Sequence, residues 1–251
     1  MSVKFSCIPR LLLGLPHLWC SVDGWYPYDR INQKTTFFPT TQCVNVHGSV
    51  TEKEGCTRTV LVLRADPIVL RDWQLDDIDR WRHWMQPGHR WKELDGPYYP
   101  GLTSEEIAQR AITLRAAIAA QSWTEPRQRL IIAETATNHL LGLVTWSWES
   151  QETWWLSVGI VLYDSASWGH GFGYRALGLW TDYLFRSLPQ IVRLDLRTWS
   201  GNLGMMQLAT KLGFQKEAHF RKARIVRGDY YDGLAYGILR EEWTAQHPDG
   251  F

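Results

Sequence analysis

Residues 168–174 read WGHGFGY, and they follow the apolar run VGIVL at residues 158–162. This order places a glycine-rich turn between a predicted strand and a predicted helix. Gly169, Gly171 and Gly173 alternate, which lets backbone N–H groups converge on one point because glycine tolerates the required backbone angles. The start of the helix adds unpaired N–H groups and the positive end of its dipole. The stretch therefore predicts a binding site for a phosphate or a diphosphate.

Two common phosphate-binding motifs do not fit this stretch. A Walker loop requires Gly-Lys-Ser/Thr, which does not follow. The dinucleotide fingerprint requires a third glycine at the position of Tyr174, and no acidic residue closes a following strand in the expected way. A nucleotide-dependent oxidoreductase is therefore disfavoured. On these residues alone, a glycine-rich turn that binds nothing stays an alternative.

The composition is that of an ordinary globular protein. Of 251 residues, 45% are hydrophobic and 21% are charged, and 27 Lys and Arg balance 26 Asp and Glu. We therefore expect no nucleic-acid partner, since no large basic field is available. We expect no membrane span, since no apolar run approaches roughly 18 residues. The four cysteines, at positions 7, 20, 43 and 56, form no CxxC pair, so we expect no metal site. The cysteine-free remainder is consistent with a cytoplasmic protein.

Residues 1 to about 60 differ from the rest of the chain. They mix Pro, Gly, Thr, Asn and aromatic residues without sustained periodicity. We interpret residues 1–60 as a poorly ordered N-terminal extension, with a regulatory or docking arm as the alternative. A signal peptide fits poorly, because Pro9, Gly14 and Pro16 interrupt the short apolar patch and no clear cleavage site follows. Residues 66–245 are expected to form one folded domain.

Within residues 66–245, hydrophobic periodicity predicts the element order β-α-α-β-β-β-α-β-α-β-β. This order indicates a mixed α/β domain with a partly antiparallel sheet rather than a strict βαβ alternation. Thr103 and Glu106 give a helix-capping signal, and Gly213 is expected to end the last helix. The predicted strands are 68–73, 129–135, 140–148, 153–163, 192–198, 214–226 and 230–239, and the later helices are 175–187 and 202–212.

Five segments occur in a fixed order along residues 66–243. Trp168, Gly171 and Gly173 fit the pattern Gln/Arg-x-x-Gly-x-Gly/Ala, with Trp168 in the place of Gln or Arg. The other segments are IVLR at 68–71 with DD at 76–77, Asn202 with KLGF at 211–214, GDYYD at 228–232 and ILREEW at 238–243. Together they resemble the Gcn5-related N-acetyltransferase (GNAT) superfamily, in particular its RimJ/RimL-like branch.

The resemblance implies a GNAT fold and acetyl-CoA as co-substrate, with no metal. Such a fold has a central mixed, mostly antiparallel sheet with helices on both faces and a V-shaped splay between two parallel strands, here 153–163 and 192–198. Acetyl-CoA is expected to lie in the splay. Asn202 is expected to help hold the pantetheine arm, to cap a helix, or both. The pantetheine is expected to pair with the backbone of Ile160, Val161 and Leu162, and the diphosphate with the amides of Gly169, His170, Gly171, Phe172, Gly173 and Tyr174.

The resemblance also implies a reaction, in which a neutral primary amine attacks the thioester directly. The acceptor is expected to be a protein or peptide N-terminus or a small-molecule amine, and a homodimer is left open. Glu134, Glu149 and Glu152 lie on or beside the central strands and are candidate general bases, although each also fits a solvated charge at a strand end. Glu152 is favoured because it precedes the strand expected to face the thioester.

Ala209 departs from the family pattern, since many members place there a tyrosine that protonates the leaving thiolate. The general acid is thus missing or is supplied by another group. The alternative function is therefore a non-catalytic module that binds acyl-CoA.

Overall fold

A computed structural model describes residues 60–251 of the chain, so the predicted extension, apart from Val60, lies outside the described residues. The strands are β1 Val62–Ala65, β2 Ile68–Arg71, β3 Arg129–Glu134, β4 Leu140–Ser150, β5 Trp155–Leu162, β6 Arg193–Trp199, β7 Gln215–Val226 and β8 Asp229–Leu239. The helices are α1 Leu75–Trp84, α2 Ser104–Ala120, α3 Phe172–Ser187, α4 Leu203–Lys211 and α5 Arg240–Gln246, with short 3-10 turns at Arg90–Glu93 and Ser165–Ser167.

The strands form one sheet in the order β1-β2-β3-β4-β5-β6-β8-β7. Among the described strands, β5 and β6 are the one parallel pair, and every other neighbouring pair is antiparallel. The predicted mixed, mostly antiparallel sheet with two adjacent parallel strands is confirmed.

Every predicted element is present in the predicted order, and the structure adds two. Strand β1 has only four residues and pairs with β2, so the sheet begins before the predicted domain start at residue 66. Helix α5 follows β8 directly, and the Glu242 carboxylate accepts the Leu239 amide at 2.9 Å at its start. Both elements are too short for hydrophobic periodicity to reveal them, because β1 has four residues and α5 has seven.

Apolar side chains cover both faces of the sheet. Helices α3, α4 and α5 pack on one face, where Trp180 is fully buried and its indole donates to the Thr145 carbonyl at 2.9 Å. Helices α1 and α2 pack on the other face, where Tyr163 is fully buried beside Trp91 at 5.1 Å between ring centroids. The prediction of helices on both faces is therefore confirmed.

Capping fixes the start of α2. The Thr103 side chain accepts the Glu106 amide at 3.2 Å, and the Glu106 carboxylate accepts the Thr103 amide at 2.7 Å. This reciprocal pair satisfies two N–H groups that a helix start leaves unpaired. The capping signal in the sequence is confirmed, and α2 is held where it covers β3 and β4.

Candidate active site

Strands β5 and β6 diverge soon after they meet. Their parallel register consists of Leu156 opposite Leu194 and Ser157 opposite Asp195. Beyond these pairs β5 stays bound to β4, and β6 stays bound to β8 along its whole length. A gap therefore opens between residues 158–162 of β5 and residues 196–199 of β6, as the V-shaped splay predicts.

Alternate backbone groups of β5 face this gap. The Tyr163 amide donates to the Leu141 carbonyl at 2.9 Å, across to the β4 side. Because the N–H and C=O groups of successive residues point to opposite sides of a strand, the groups of Val161 also face β4. Those of Ile160 and Leu162 face the gap. Of the three residues predicted to pair with the pantetheine, Ile160 and Leu162 therefore direct their backbone groups into the gap. The backbone groups of Val161 are directed away from it.

The glycine turn, residues 169–174, lies at the open end of the gap. Gly169 and Gly171 both have φ of 80°, a left-handed conformation that is unfavourable for residues other than glycine. The first helical bond of α3 runs from the Arg175 amide to the Gly171 carbonyl at 3.1 Å. The preceding amides, from Gly171 to Tyr174, therefore have no acceptor within the helix.

The first turn of α3 packs against the β5 wall of the gap. A Cβ atom built at Gly173 would lie 3.4 Å from the Leu208 side chain and within 4.0 Å of Leu162 and Ile160. At Gly169 the same construction meets nothing within 4 Å, and His170 beside it is exposed. The glycine turn can thus approach a ligand closely, and its unpaired amides, the positive helix end and the adjacent gap fit a diphosphate with an attached chain.

Trp168 ties the glycine turn to β5. Its indole donates to the Leu162 carbonyl at 3.0 Å. The guanidinium carbon of Arg90 lies 5.4 Å from the centroid of the Trp168 ring. Trp168, which stands where the family pattern has Gln or Arg, therefore connects the end of β5 to the segment that joins α1 to α2.

Asn202 caps α4 and also contacts the segment between α1 and α2. Its Oδ1 accepts the Met205 amide at 3.0 Å, which confirms the helix-capping interpretation. Its Nδ2 donates to the Leu94 carbonyl at 3.2 Å, and the Trp199 indole donates to the same carbonyl at 2.9 Å. These bonds fasten residues 90–94 to the end of β6.

The three candidate bases occupy different surroundings. Glu149 accepts from Arg197 at 2.6 Å across β5, and these two side chains are 18% and 25% exposed. Burial raises the pKa of Glu149, the charge of Asp195 adds to this effect, and Arg197 opposes it. Glu152 is exposed in the turn before β5, where it accepts from Ser150 at 3.1 Å.

Glu134 lies at the end of β3, two strands away from β5. It accepts the Thr137 hydroxyl within the turn that leads to β4. Among these three, only Glu149 spans β5, since it lies on β4 and pairs with Arg197 on β6.

Sequence reasoning missed two polar residues at the closed end of the gap. Ser157 and Asp195 face each other in the last parallel pair and are 5% and 3% exposed. Asp195 accepts from Arg193 at 2.5 Å, and Arg193 also pairs with Glu217. Burial raises the pKa of Asp195, and Arg193 opposes that rise. The alternation of polar and apolar residues at 193–197 predicts the strand. That its polar face is buried follows only from the neighbouring strands.

A cleft of about 580 Å³ lies beside the end of β6. It is bordered by residues 88–99 on one side and by the β7–β8 turn on the other, with Trp199 and Tyr231 in its wall. Their rings meet edge to face at 4.8 Å. This cleft therefore lies next to Trp199, the last residue of β6.

No helix within residues 60–251 combines the length and the apolar character needed to cross a membrane. The same residues bring together no group of three His, Cys, Asp or Glu side chains that would suit a metal ion.

Known acetyltransferase sequences resemble this chain. A family model described as an acetyltransferase (GNAT) domain matches residues 68–215. The uncharacterized N-acetyltransferase p20 of Bacillus licheniformis is 24% identical over 183 residues, which are 72% of this chain and 98% of p20. The SPbeta prophage-derived uncharacterized N-acetyltransferase YokL of Bacillus subtilis (strain 168) is 33% identical over 79 residues, 32% of this chain. That alignment spans 44% of YokL, less than half of its length.

Solved structures share the fold at low sequence identity. The ribosomal-protein-S5-alanine acetyltransferase from Vibrio fischeri has a TM-score of 0.57 and 18% identity, with 73% of this chain and 98% of that chain covered. Spermidine/spermine N-acetyltransferase SpeG from Vibrio cholerae, in mutant forms, has a TM-score of 0.54 and 17% identity, with 72% and 99% covered. RimL, a ribosomal L7/L12 α-N-protein acetyltransferase solved with coenzyme A, has a TM-score of 0.55 and 16% identity, with 71% and 98% covered.

The structural likeness shows the fold, consistent with the RimJ/RimL-like branch, while the family model covers more than half of the chain. The chain therefore belongs to the GNAT acetyltransferase family and is an acyltransferase.

Proposed function

We propose that this chain transfers an acetyl group from acetyl-CoA to a primary amine, on a protein or peptide N-terminus or on a small molecule. The observation that carries the proposal is the gap between β5 and β6, where outward-facing backbone groups lie beside the unpaired amides of the glycine turn. The structurally similar RimL was solved with coenzyme A, and similar structures are named for ribosomal proteins or for spermidine as acceptors.

The gap is suited to the two chemical parts of the cofactor. The diphosphate binds the amides of the glycine turn, which carry the positive end of the α3 dipole. The pantetheine arm contains amide groups and pairs with the backbone of Ile160 and the amide of Leu162, as an added strand would, while the Leu162 carbonyl accepts the Trp168 indole. An N–H group on this edge also polarises the thioester carbonyl when the acetyl group lies beside it.

Glu149 is the general base in this proposal, in preference to Glu152 and Glu134. Its raised pKa makes it a stronger base than an exposed glutamate. The amine nitrogen forms a bond to the acetyl carbon, the carbon–sulfur bond breaks, and the amine proton passes to Glu149 directly or through water. An α-amine needs little help from a base, because removal of its proton at neutral pH costs about 1 kcal/mol. Removal of the proton from a lysine-like amine costs roughly 4–5 kcal/mol.

The leaving group needs little assistance. A free thiol has a pKa of about 8.5, so coenzyme A departs as a thiolate near neutral pH. Ala209, in the last turn of α4, is fully buried, and its methyl side chain has no proton donor. This departure from the family pattern is thus compatible with turnover.

Release of coenzyme A tests the proposal. The full chain is incubated with acetyl-CoA and a panel of acceptors: short peptides with free N-termini, spermidine, amino acids and aminoglycosides. We expect amine-dependent thiol release and an acetylated product by mass spectrometry for at least one acceptor class. Tight coenzyme A binding with no acceptor-dependent release would favour the non-catalytic binding module, and no binding at all would contradict the cofactor site.

A further inference from the structure

We propose that Arg90 contacts the diphosphate of the cofactor from the wall of the gap opposite α3. The inference rests on the proposed acetyl-CoA site and adds one binding residue to it. Arg90 contacts the ring of Trp168 although it precedes Trp168 by 78 residues in the sequence. The inference assigns a role in cofactor recognition to the segment between α1 and α2, which also borders the cleft beside the end of β6.

Arg90 is held close to the end of β5. It begins the 3-10 turn Arg90–Glu93, and the next residue, Trp91, is 3% exposed. The Trp91 ring packs edge to face on Tyr163 at 5.1 Å, and its indole donates to the Trp84 carbonyl at 2.9 Å. Tyr163 directly follows β5. The backbone of Arg90 is thus anchored where the gap opens.

The Arg90 side chain contacts the residue that precedes the glycine turn. Its guanidinium carbon lies 5.4 Å from the centroid of Trp168, whose indole is fixed by the Leu162 carbonyl. Trp168 directly precedes Gly169, the first residue of the glycine turn. A guanidinium on the face of this ring is therefore beside the amides that would hold the diphosphate.

The guanidinium of Arg90 is available for a ligand. Arg90 is exposed, and within residues 60–251 it has neither an ion pair nor a side-chain hydrogen bond to an acidic group. Contact with the face of an aromatic ring leaves the N–H edges of a guanidinium accessible, and those edges match phosphate oxygens in a bidentate manner.

A second cation flanks the glycine turn. Arg175 lies on α3, and its Nη1 is 3.5 Å from the Gly171 carbonyl. A diphosphate carries more negative charge than a helix end can offset, because the dipole equals only about half an elementary charge. Arg90 and Arg175 together supply that charge from two sides.

Replacement of the guanidinium tests the inference. Arg90→Gln keeps a polar side chain and removes the charge, and Arg82→Gln is the matched control on the exposed surface of α1. Calorimetry on the full chain measures the dissociation constants of coenzyme A, dephospho-coenzyme A and pantetheine. We expect Arg90→Gln to weaken both coenzymes by at least about tenfold, the effect of one charge-assisted hydrogen bond, and to leave pantetheine unchanged. Arg82→Gln is expected to match the wild type for all three ligands.

Three results would overturn the inference. Equal weakening of pantetheine would mean that Arg90 only supports the fold of the segment. Loss of the effect with dephospho-coenzyme A would mean that Arg90 contacts the 3′-phosphate instead of the diphosphate. Wild-type affinity for both coenzymes in Arg90→Gln would remove any role. Failure of the wild-type chain to bind coenzyme A is a separate outcome, since it would refute the proposed site itself and Arg90 with it.

Discussion

The two ends of β5 differ in what lies beside them. At Leu156 and Ser157 the strand pairs with β6, where Asp195 is buried, and the half-buried Glu149 reaches across β5 to Arg197. At Ile160 and Leu162 the strand has only β4 as a neighbour, and its other edge faces the glycine turn. One strand thus provides an anchored end for chemistry and an open end for binding. Because β4 and β8 hold the diverging strands from outside, the gap exists before any ligand arrives.

The largest effect on coenzyme A binding is expected at the open end, from Gly171→Val. Valine disfavours a φ of 80°, and its Cβ would lie 2.8 Å from the Arg175 guanidinium, in the space a diphosphate would need. Loss of about two charge-assisted hydrogen bonds predicts roughly a hundredfold weaker coenzyme A binding by calorimetry.

Gly228→Val is the control for backbone strain. Gly228 has φ of 90° in the β7–β8 turn, and nothing lies within 4 Å of its Cβ position. Coenzyme A affinity is expected to stay at the wild-type value. A similar loss in both variants would show that strain, and not the glycine turn, governs affinity.

Glu149→Gln tests the anchored end. The variant keeps the shape of the side chain and removes the proton acceptor, so kcat is expected to fall by about 10² to 10⁴. KM for acetyl-CoA is expected to change little, because Glu149 lies away from the glycine turn. Glu152 is an exposed carboxylate, so Glu152→Gln should match the wild type in steady-state kinetics. An equal loss of kcat in Glu152→Gln would favour Glu152 as the general base.

A pair of proline variants sharpens the difference between neighbouring residues of β5. Val161→Pro removes an amide that bonds to β4, whereas Ile160→Pro removes one that faces the gap. Val161→Pro is expected to lower the free energy of unfolding by roughly 1–3 kcal/mol more than Ile160→Pro, as measured in urea. Of the variants that fold, Ile160→Pro should bind acetyl-CoA more weakly, and the reverse order would contradict the assigned strand register.

The pH dependence of kcat/KM probes the charges around Glu149. A general base acts as the carboxylate, so the rate falls when the pH drops through its pKa. Arg197 lowers the pKa of Glu149, and the charge of Asp195 raises it. Arg197→Gln is therefore expected to move the acidic limb to higher pH, and Asp195→Asn to lower pH. A limb that stays in place in both variants would rule out Glu149 as its source.

The smallest effect is expected at Asn202, where the cap and the Leu94 contact can be separated. Asn202→Ala removes both and is expected to cost about 1 kcal/mol of the free energy of unfolding. Asn202→Asp keeps the oxygen that accepts the Met205 amide and loses the donor to Leu94. It should be less destabilising than alanine by thermal or urea unfolding, and equal losses would assign the stability to the Leu94 contact.

Local signals explain why much of the fold was predictable. The alternation of 193–197, the Thr103 and Glu106 cap and the glycines at 169 and 171 each act within a few residues, so neighbouring sequence is sufficient to reveal them. Strand β1 gave no such signal, because its four half-exposed residues become a strand only by pairing with β2.

The sequence by itself determined the strand, glycine turn and helix that form the predicted phosphate site, since the apolar run, the glycines and the helix start that define them are consecutive in the chain. Only the tertiary structure decided which glutamate spans β5 and which residues of β5 face the gap. Glu149 and Arg197 are 48 residues apart, and they meet because β4 and β6 flank β5 on opposite sides. The direction of Ile160 and Val161 depends on the register of β5 against β4, which a shift of one residue would invert.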